Sequence, residues 1–583
     1  MRYFVKKSTP SKKGVYLQIY QSGYVAGKGS RNKSYKKLGY VDELKNNGIV
    51  DPYSYAQEMV DELNKKHELK KEQQIGDVSL QKNAGQFLVK LVLDKLAMDK
   101  DINIVANSYK SHYDFSSFIR TMIYAQIVSP GSKLKAFEKV IPSLYGSPSF
   151  SYDQILDGID FIGSDYTKFI EVMNHHIEKN WKRRFDTTFF DCTNYYFEID
   201  IEDNLRRKGV SKERRHDPIV SQALLLDADM IPLDMRMYPG NESEKPKLRE
   251  AIETLKEKHE SIKRVIQVAD KGLNCARNIY AAVREANDGY IFSKSVKSLT
   301  DDEKKWILSE YQDINKFEDV RDKEGNLLFR YKVVRDEVNG KLVDYSEYKY
   351  HCKINPEDSK EELFKVCEKR IVTFNPQLAS KQKREILRQV EKLKGQLTCG
   401  TILKEELGDA CKYISKEMTD ENGQIVKAKF KINQKKVDED LNLAGYNMLI
   451  TSEINADPIQ IYKTYHCLWR IEHCFRVMKT YLEARPAFLS DSNKIYGHFT
   501  IVYLALTIMR LMELKVFDEE ICIEQLFEFI RGYTLTEDID GNFINNALNS
   551  ETHQYIKKKF GLAKLGNAYL SKLDIEKLFR YEI

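Results

Sequence analysis

Between Thr187 and Ser293 the chain changes its rhythm, and that change limits the fold more than any other feature. Thr187-Thr-Phe-Phe-Asp191 and Tyr195-Tyr-Phe-Glu-Ile199 are rich in aromatic and β-branched residues, as strands are. Residues 219–226 and 231–238 flank Asp227-Ala-Asp229-Met230 and read as a hairpin, closed by Pro239-Gly240-Asn241. A helix is expected over 244–258. It is followed by a hydrophobic strand, Arg264 to Ala269, that stops at Asp270-Lys-Gly272. A helix over 275–286 and a strand over 289–293 complete the run. Three antiparallel strands followed by helix, strand, helix and strand predict a mixed α/β sheet. Strand character resumes at Tyr446–Thr451, so residues 297–445 read as a β-rich insertion domain that interrupts the sheet, with a solvated Lys/Glu/Arg-rich helix over 380–397.

A chain of 583 residues is too long for one core, at roughly 150 residues per domain. The expected divisions are a basic β-rich DNA-binding module and linker (1–75), a helical DNA-binding or dimerisation region (76–180) and the first half of the sheet domain (181–296). The insertion domain (297–445), the second half of the sheet domain (446–515) and a helical tail (516–583) follow. Overall charge decides little, with 93 basic residues against 87 acidic. Its distribution decides more. The first forty residues carry Arg2, Lys6, Lys7, Lys12, Lys13, Lys28, Arg31, Lys33, Lys36 and Lys37 without one Asp or Glu, as expected of a surface that meets an anionic polymer such as nucleic acid. Nine cysteines without a CxxC pair indicate neither a zinc ribbon nor a disulfide framework and fit a reducing cytoplasm. The longest apolar run, Ile501 to Met509, falls far short of the ~20 residues that span a bilayer, so no membrane partner is expected.

The stretch Tyr465 to Leu482 reads as one helix, because it lacks Gly and Pro and its apolar residues Leu468, Ile471, Phe475, Met478 and Leu482 recur at three and four. Tyr465, Glu472 and Lys479 share a neighbouring strip, seven residues apart each time. Glu472 therefore stands on the shoulder of a core-packed helix, where the plain alternative is a solvated pair with Arg476. Asp191 lies within or at the end of the first strand. Asp270 lies where a hydrophobic strand ends, the side of an open α/β sheet on which ligand sites form. As plain structural residues these two would be a turn or cap aspartate and a helix N-cap. If the three acids converge, each like-charged pair ~4 Å apart costs about 4 kcal/mol at an effective dielectric near 20. Hard cations such as Mg²⁺ or Mn²⁺ remove that cost, and two of them stabilise both oxygens of an in-line displacement at phosphorus.

The pattern Tyr465-x2-Leu468-x3-Glu472-x6-Lys479, followed by Leu482-Glu-Ala-Arg485-Pro486, resembles the Tyr-x2-Arg-x3-Glu-x6-Lys signature of bacterial insertion-sequence DDE transposases. Phe190-Asp191-Cys-Thr193, Val268-Ala-Asp270-Lys-Gly and Ser211-Lys-Glu-Arg-Arg-His-Asp217 add to the likeness, which runs from about residue 110 to 510. The resemblance implies an RNase H-like core, interrupted by an insertion domain, with Asp191, Asp270 and Glu472 as catalytic residues and as ligands of two Mg²⁺ ions. It also implies Tyr465 and Lys479 as contacts to DNA phosphates. The family arginine is Leu468 here, and Arg470 or Arg476 is expected to supply its charge. Lys212, Arg214 and Arg215 lie in a basic loop over 206–216 that is a further expected DNA contact.

The function so implied is cleavage at transposon ends and strand transfer into target DNA. Its partners would be double-stranded terminal inverted repeats, target DNA and a second copy of the chain when two ends are synapsed, in the bacterial nucleoid. Two alternatives remain open at this point: a metal-dependent nuclease on the same fold that does not join ends, and a catalytically silent DNA-binding derivative.

Overall fold

Alternating aliphatic and basic residues at the start of the chain make a small sheet with one dry face. The computed structural model describes the chain apart from residues 1, 10–13, 26–28, 72–80, 108–112, 213–215, 310–315, 356, 400–407, 420–424 and 539–541. Strands β1 (Arg2–Lys7), β2 (Tyr16–Val25) and β3 (Gly29–Tyr40) pair antiparallel in that order. Leu17 and Ile19 on β2 are fully buried. Helices α1 (Val41–Asn46) and α2 (Pro52–Lys71) complete the module, where Val41, Leu44 and Ala56 pack with Leu17. Asn64 imitates a neighbouring strand: it accepts from the Tyr3 N–H (2.9 Å) and donates to the Tyr3 carbonyl (3.1 Å).

The chain divides into two compact units, one made of Met1–Ile159 with Ile508–Ile583 and the other of Asp160–Thr507. Besides the basic sheet, the first unit holds β4 (Gln81–Asn83) and helices including Phe87–Leu96, Phe115–Val128 and Ile523–Gly532.

The second unit is built on a mixed sheet of ten strands. Its first members are β5 (Thr187–Tyr196), β6 (Ile219–Leu226), β7 (Pro232–Pro239), β8 (Ile266–Ala269) and β9 (Gly289–Lys294). β5, β6 and β7 run antiparallel to one another, whereas β8 runs parallel to β5 and β9 parallel to β8. Parallel neighbours need crossovers. The helix Glu244–Lys258 supplies one, and Ala276–Tyr280 with its π-helical continuation Ala281–Glu285 supplies the next. The first helix buries Leu248, Ala251, Ile252 and Leu255 in a core shared with Phe190, Leu225, Ala269 and Phe292. Burial on that scale, about 25 cal/mol per Å² of apolar surface, is what holds this layer on the sheet.

Residues 297–445 were expected to interrupt the sheet as a separate domain, but much of this segment extends it. β10 (Glu318–Arg321), β11 (Leu327–Val333), β14 (Ser346–Cys352) and β15 (Glu362–Phe374) belong to the same ten strands; β12 (Asp336–Val338) and β13 (Lys341–Val343) form a ribbon between them. β16 (Ile414–Thr419) pairs only with β17 (Ile425–Ile432), and β18 (Tyr446–Thr451) joins β15 to β9. The full order is β10-β11-β15-β18-β9-β8-β5-β6-β7, with β14 on β15. Only the helix Pro376–Cys399 and its surroundings have a core of their own, where Ile386, Val390 and Leu393 meet Tyr413 and Val437. That helix is packed along one side through these residues, and most of the rest of its described surface is exposed, as expected of a solvated helix over 380–397.

The first unit closes with β19 (Thr534–Glu537), β20 (Phe543–Asn545) and β21 (Tyr569–Leu570), which form a four-stranded sheet with β4. Among the described residues no helix is long and apolar enough to cross a membrane.

Candidate active site

Strand register decides where the first two acids stand. In the parallel pair β5–β8, Phe189 lies opposite Val268 and Phe190 opposite Ala269. One residue further on, Asp191 is level with Asp270, across the roughly 4.8 Å that separates neighbouring strands. β8 ends at Ala269 while β5 continues to Tyr196, so Asp191 lies in the interior of a single ten-residue strand. The strand expected from Thr187 to Ile199 stops three residues short of that: the chain leaves the ladder after Tyr196, and the Phe197 N–H donates to the Pro218 carbonyl (2.8 Å).

Both carboxylates are held by donors. Asp191 Oδ1 accepts from the Cys192 N–H at 2.7 Å. Asp270 Oδ1 accepts from the Ser293 hydroxyl on β9 and from the Tyr465 hydroxyl, each at 2.9 Å. Burial pushes the Asp191 carboxyl up to about 6; Lys212 and the Cys192 N–H pull it down, and the charges of Glu244 and Asp270 push it up again. Burial likewise drives the Tyr465 phenol well above its ordinary value, and the negative charges of Asp270 and Glu472 add to that. Tyr465 therefore remains a proton donor to Asp270 at any physiological pH.

The helix expected from Tyr465 to Leu482 is two helices. Asp457 caps the first, Pro458–His466, by accepting from the Gln460 N–H (2.9 Å), with Pro458 at its first position. The second is Trp469–Thr480. Between them the backbone tightens to bonds spanning three residues: Leu468 to Tyr465, Arg470 to Cys467 and Ile471 to Leu468. Tyr465 is thus on the first helix and Glu472 in the first turn of the second. Ile471, Cys474 and Met478 are fully buried, whereas Glu472 and Arg476 are exposed. The second helix lies on β5, where Met478 Sδ is 4.0 Å from the Tyr195 hydroxyl and Lys479 Nζ is 5.2 Å from the Tyr195 ring. Tyr195 is four residues from Asp191 on one strand, so both point to the face this helix covers.

Asp191 and Asp270 stand together, then, and Tyr465 binds the second; Glu472 remains at the rim. Among the described residues no group of three His, Cys, Asp or Glu is gathered closely enough to hold a metal ion. The expected cage of Asp191, Asp270 and Glu472 is therefore not formed in this arrangement. The donor set still suits a hard divalent cation: two carboxylates side by side, one of them hard to ionise because it is buried.

Lys212, expected on DNA, lies against the acids. Its Nζ donates to the Cys192 carbonyl and is 3.4 Å from Glu244 Oε1. Arg214 and Arg215 lie outside the described residues. Arg470 stacks on the exposed ring of Trp469, with its guanidinium carbon 5.3 Å from the ring centroid. Leu468, where the resemblance places an arginine, is buried, which explains an apolar residue there. Glu244 went unnoticed in the sequence as a site residue, and Arg485 was read only as part of the signature pattern. Glu244 opens the helix Glu244–Lys258 behind its cap Ser243, and the only signal was an acid in a helix's first turn. Arg485 lies over the Tyr196 ring at 4.4 Å, and its signal was its place in the Arg485-Pro486 pair.

A cavity of about 510 Å³ opens beside Asp270 and Tyr465, walled by Lys297, Gln382, Lys412 and Asn447 among others. No protein-family model and no curated protein matches this chain.

Proposed function

We propose that the chain is a DDE transposase, which cuts DNA at transposon ends and joins the freed ends to target DNA from an RNase H-like core. The observation that carries the proposal is Asp191 beside Asp270 on adjacent parallel strands, with Tyr465 bonded to the second acid. Strand order supports the core assignment. β5 to β9 lie in the order β7-β6-β5-β8-β9, the first three antiparallel and the last two parallel to β5, as in RNase H-like cores.

Asp191, Asp270 and Glu472 would hold two divalent ions, Mg²⁺ or Mn²⁺, supplying charge to activate the attacking oxygen and stabilise the leaving one. The chain's own residues do the rest. Ser293 and Tyr465 fix the direction of the Asp270 carboxylate, as outer partners of metal-binding carboxylates do. Lys212 offsets part of the negative field of Asp191 and Glu244. Arg470, Arg476 and Lys479, on the helix that carries Glu472, would hold backbone phosphates. Joining two transposon ends needs two such sites, so a homodimer on DNA follows.

One observation favours a second reading. Because no three-ligand group is assembled among the described residues, a catalytically silent DNA-binding derivative also fits. A single assay separates the possibilities: purified chain, a duplex carrying the inverted repeats that flank its gene, a target plasmid, and Mg²⁺ or Mn²⁺. Cleaved and joined products support the transposase. Cleavage without joining identifies a nuclease, and binding without cleavage identifies the silent derivative. An Asp191→Ala chain that cuts like its parent refutes the active-site assignment.

A further inference from the structure

One surface that this chemistry does not use is the uncovered face of the first sheet. In an antiparallel sheet, directly paired residues point to the same side. Val5 pairs with Ile19, and Ile19 is fully buried, so this set faces the helices. The alternate set faces away. It forms two cross-sheet rows, Lys6–Gln18–Lys37 and Phe4–Tyr20–Ser34. Lys6, Ser34 and Lys37 are exposed and Phe4, Gln18 and Tyr20 half-buried, as expected of a face over which no layer lies among the described residues. Lys6 Nζ is 4.5 Å from the Tyr20 ring centroid, which holds the cation above the sheet.

Charge and width identify the occupant. The first acidic residue of the chain is Asp42, on α1, so the sheet presents cations alone. Three strands about 4.8 Å apart span roughly 10 Å, and the major groove of B-form DNA is about 12 Å wide. The deep, narrow major groove of double-stranded RNA cannot admit such a body. We infer, resting on the DNA-acting function proposed above, that this face enters the DNA major groove and reads sequence. Gln18, in the middle of its row, offers an amide to base edges, with adenine its natural partner. Lys6 and Lys37, on either side, take the flanking phosphates.

The test uses the full-length chain in chelator, so that binding is measured without cleavage. Duplexes are selected from a random library, and methylation interference is mapped on the winners. A preferred sequence is expected, with interference at guanine N7 in the major groove. Gln18→Ala is expected to lose preference at one position and about 10-fold in affinity for the selected duplex. Lys6→Ala and Lys37→Ala are each expected to weaken all duplexes alike and to lower the slope of log affinity against log salt by about 1. Circular dichroism and melting confirm that each variant folds, and Gln18→Glu provides a second probe of the same position. Gln18 variants that select the parental sequence overturn the inference. So does interference at adenine N3 in the minor groove, or full competition by duplex RNA. Returning Mg²⁺ to the parental chain on the selected duplex keeps the two proposals apart: selective binding by a parental chain that never cuts sinks the transposase alone. Cutting by a chain whose sheet variants bind normally sinks only the reading surface.

Discussion

Asp191 and Asp270 are positioned by the register of two strands, whereas Glu472 is positioned by a helix that rests on them. A strand residue in a sheet buried on both faces has almost no freedom, because the backbone on either side is bonded to neighbours. Glu472 is exposed in the first turn of a helix that begins at a tightened joint, Cys467–Leu468, so its side chain stands on the solvent side of the buried stripe. The acid pair is thus built into the sheet, and under the function proposed above the third acid would be brought to it. This division explains why two carboxylates stand together while no three-ligand group exists among the described residues.

The strongest way to break the comparison is to remove an acid from each side. Asp191→Asn and Asp270→Asn are each expected to lower metal-dependent DNA cleavage by about 10³-fold or more, since a lost metal ligand forfeits several kcal/mol of transition-state stabilisation. Glu472→Gln is expected to do the same in cleavage but to differ in binding. If the strand pair is the preformed part, Glu472→Gln should keep a Mn²⁺-dependent rise in melting temperature that both Asp variants lose. Equal loss of that rise in all three variants would mean the acids bind as one unit, against the division drawn here.

Tyr465→Phe sharpens the same point with a smaller effect. It deletes the donor that holds Asp270 Oδ1 and leaves the ring in place. Cleavage is expected to fall roughly 10- to 100-fold, the usual range for an outer partner of a ligand, and Mn²⁺ affinity is expected to fall with it. A variant with parental activity and affinity would show that Ser293 alone orients the carboxylate.

How far these positions were legible in the sequence follows the same split between local and distant. The hairpin expected over 219–226 and 231–238 is observed at Ile219–Leu226 and Pro232–Pro239, and the helix expected over 244–258 is Glu244–Lys258. Apolar period and turn residues within ten or fifteen positions carry that information. The neighbours of a strand are another matter. Nothing local in Leu327–Val333 or Glu362–Phe374 says that these strands join the sheet of Asp191, because a ladder is chosen by partners far along the chain. Glu244 escaped notice for the same reason, since only packing brings that helix start near Asp191. The helix of Glu472 was legible as apolar stripe and charge strip. Its break was not, because no Gly or Pro marks Cys467–Leu468.

A third effect is thermodynamic and belongs to the strand side only. The Asp191 carboxyl is held near 6 in the fold by burial, against an ordinary value of 3.8. Between about pH 4 and 6 the folded chain therefore binds more protons at this site than the unfolded one, and its contribution to stability falls as pH rises through that window. In chelator, Asp191→Asn is expected to be more stable than the parent by on the order of 2 kcal/mol at pH 8, and the gain should vanish by about pH 4. Adding Mg²⁺ should reverse the order, because ligand bound only to the folded parent adds about 2.7 kcal/mol at a hundredfold excess over Kd. Denaturant titrations at the two pH values check this; a gain that persists at pH 4 would assign it to packing and not to charge.

The smallest effect is expected on the helix side, and its smallness is the informative part. Glu472 is exposed and takes no part in the buried stripe of Ile471, Cys474 and Met478. Without metal, Glu472→Gln is expected to change unfolding free energy by no more than about 0.5 kcal/mol at pH 7.5, as surface changes usually do. Ile471→Ala, one residue away and fully buried, is expected to cost about 2–4 kcal/mol. If Glu472→Gln were as costly as a core truncation, Glu472 would already be engaged inside the fold, and the difference between a carboxylate built in and one brought in would disappear.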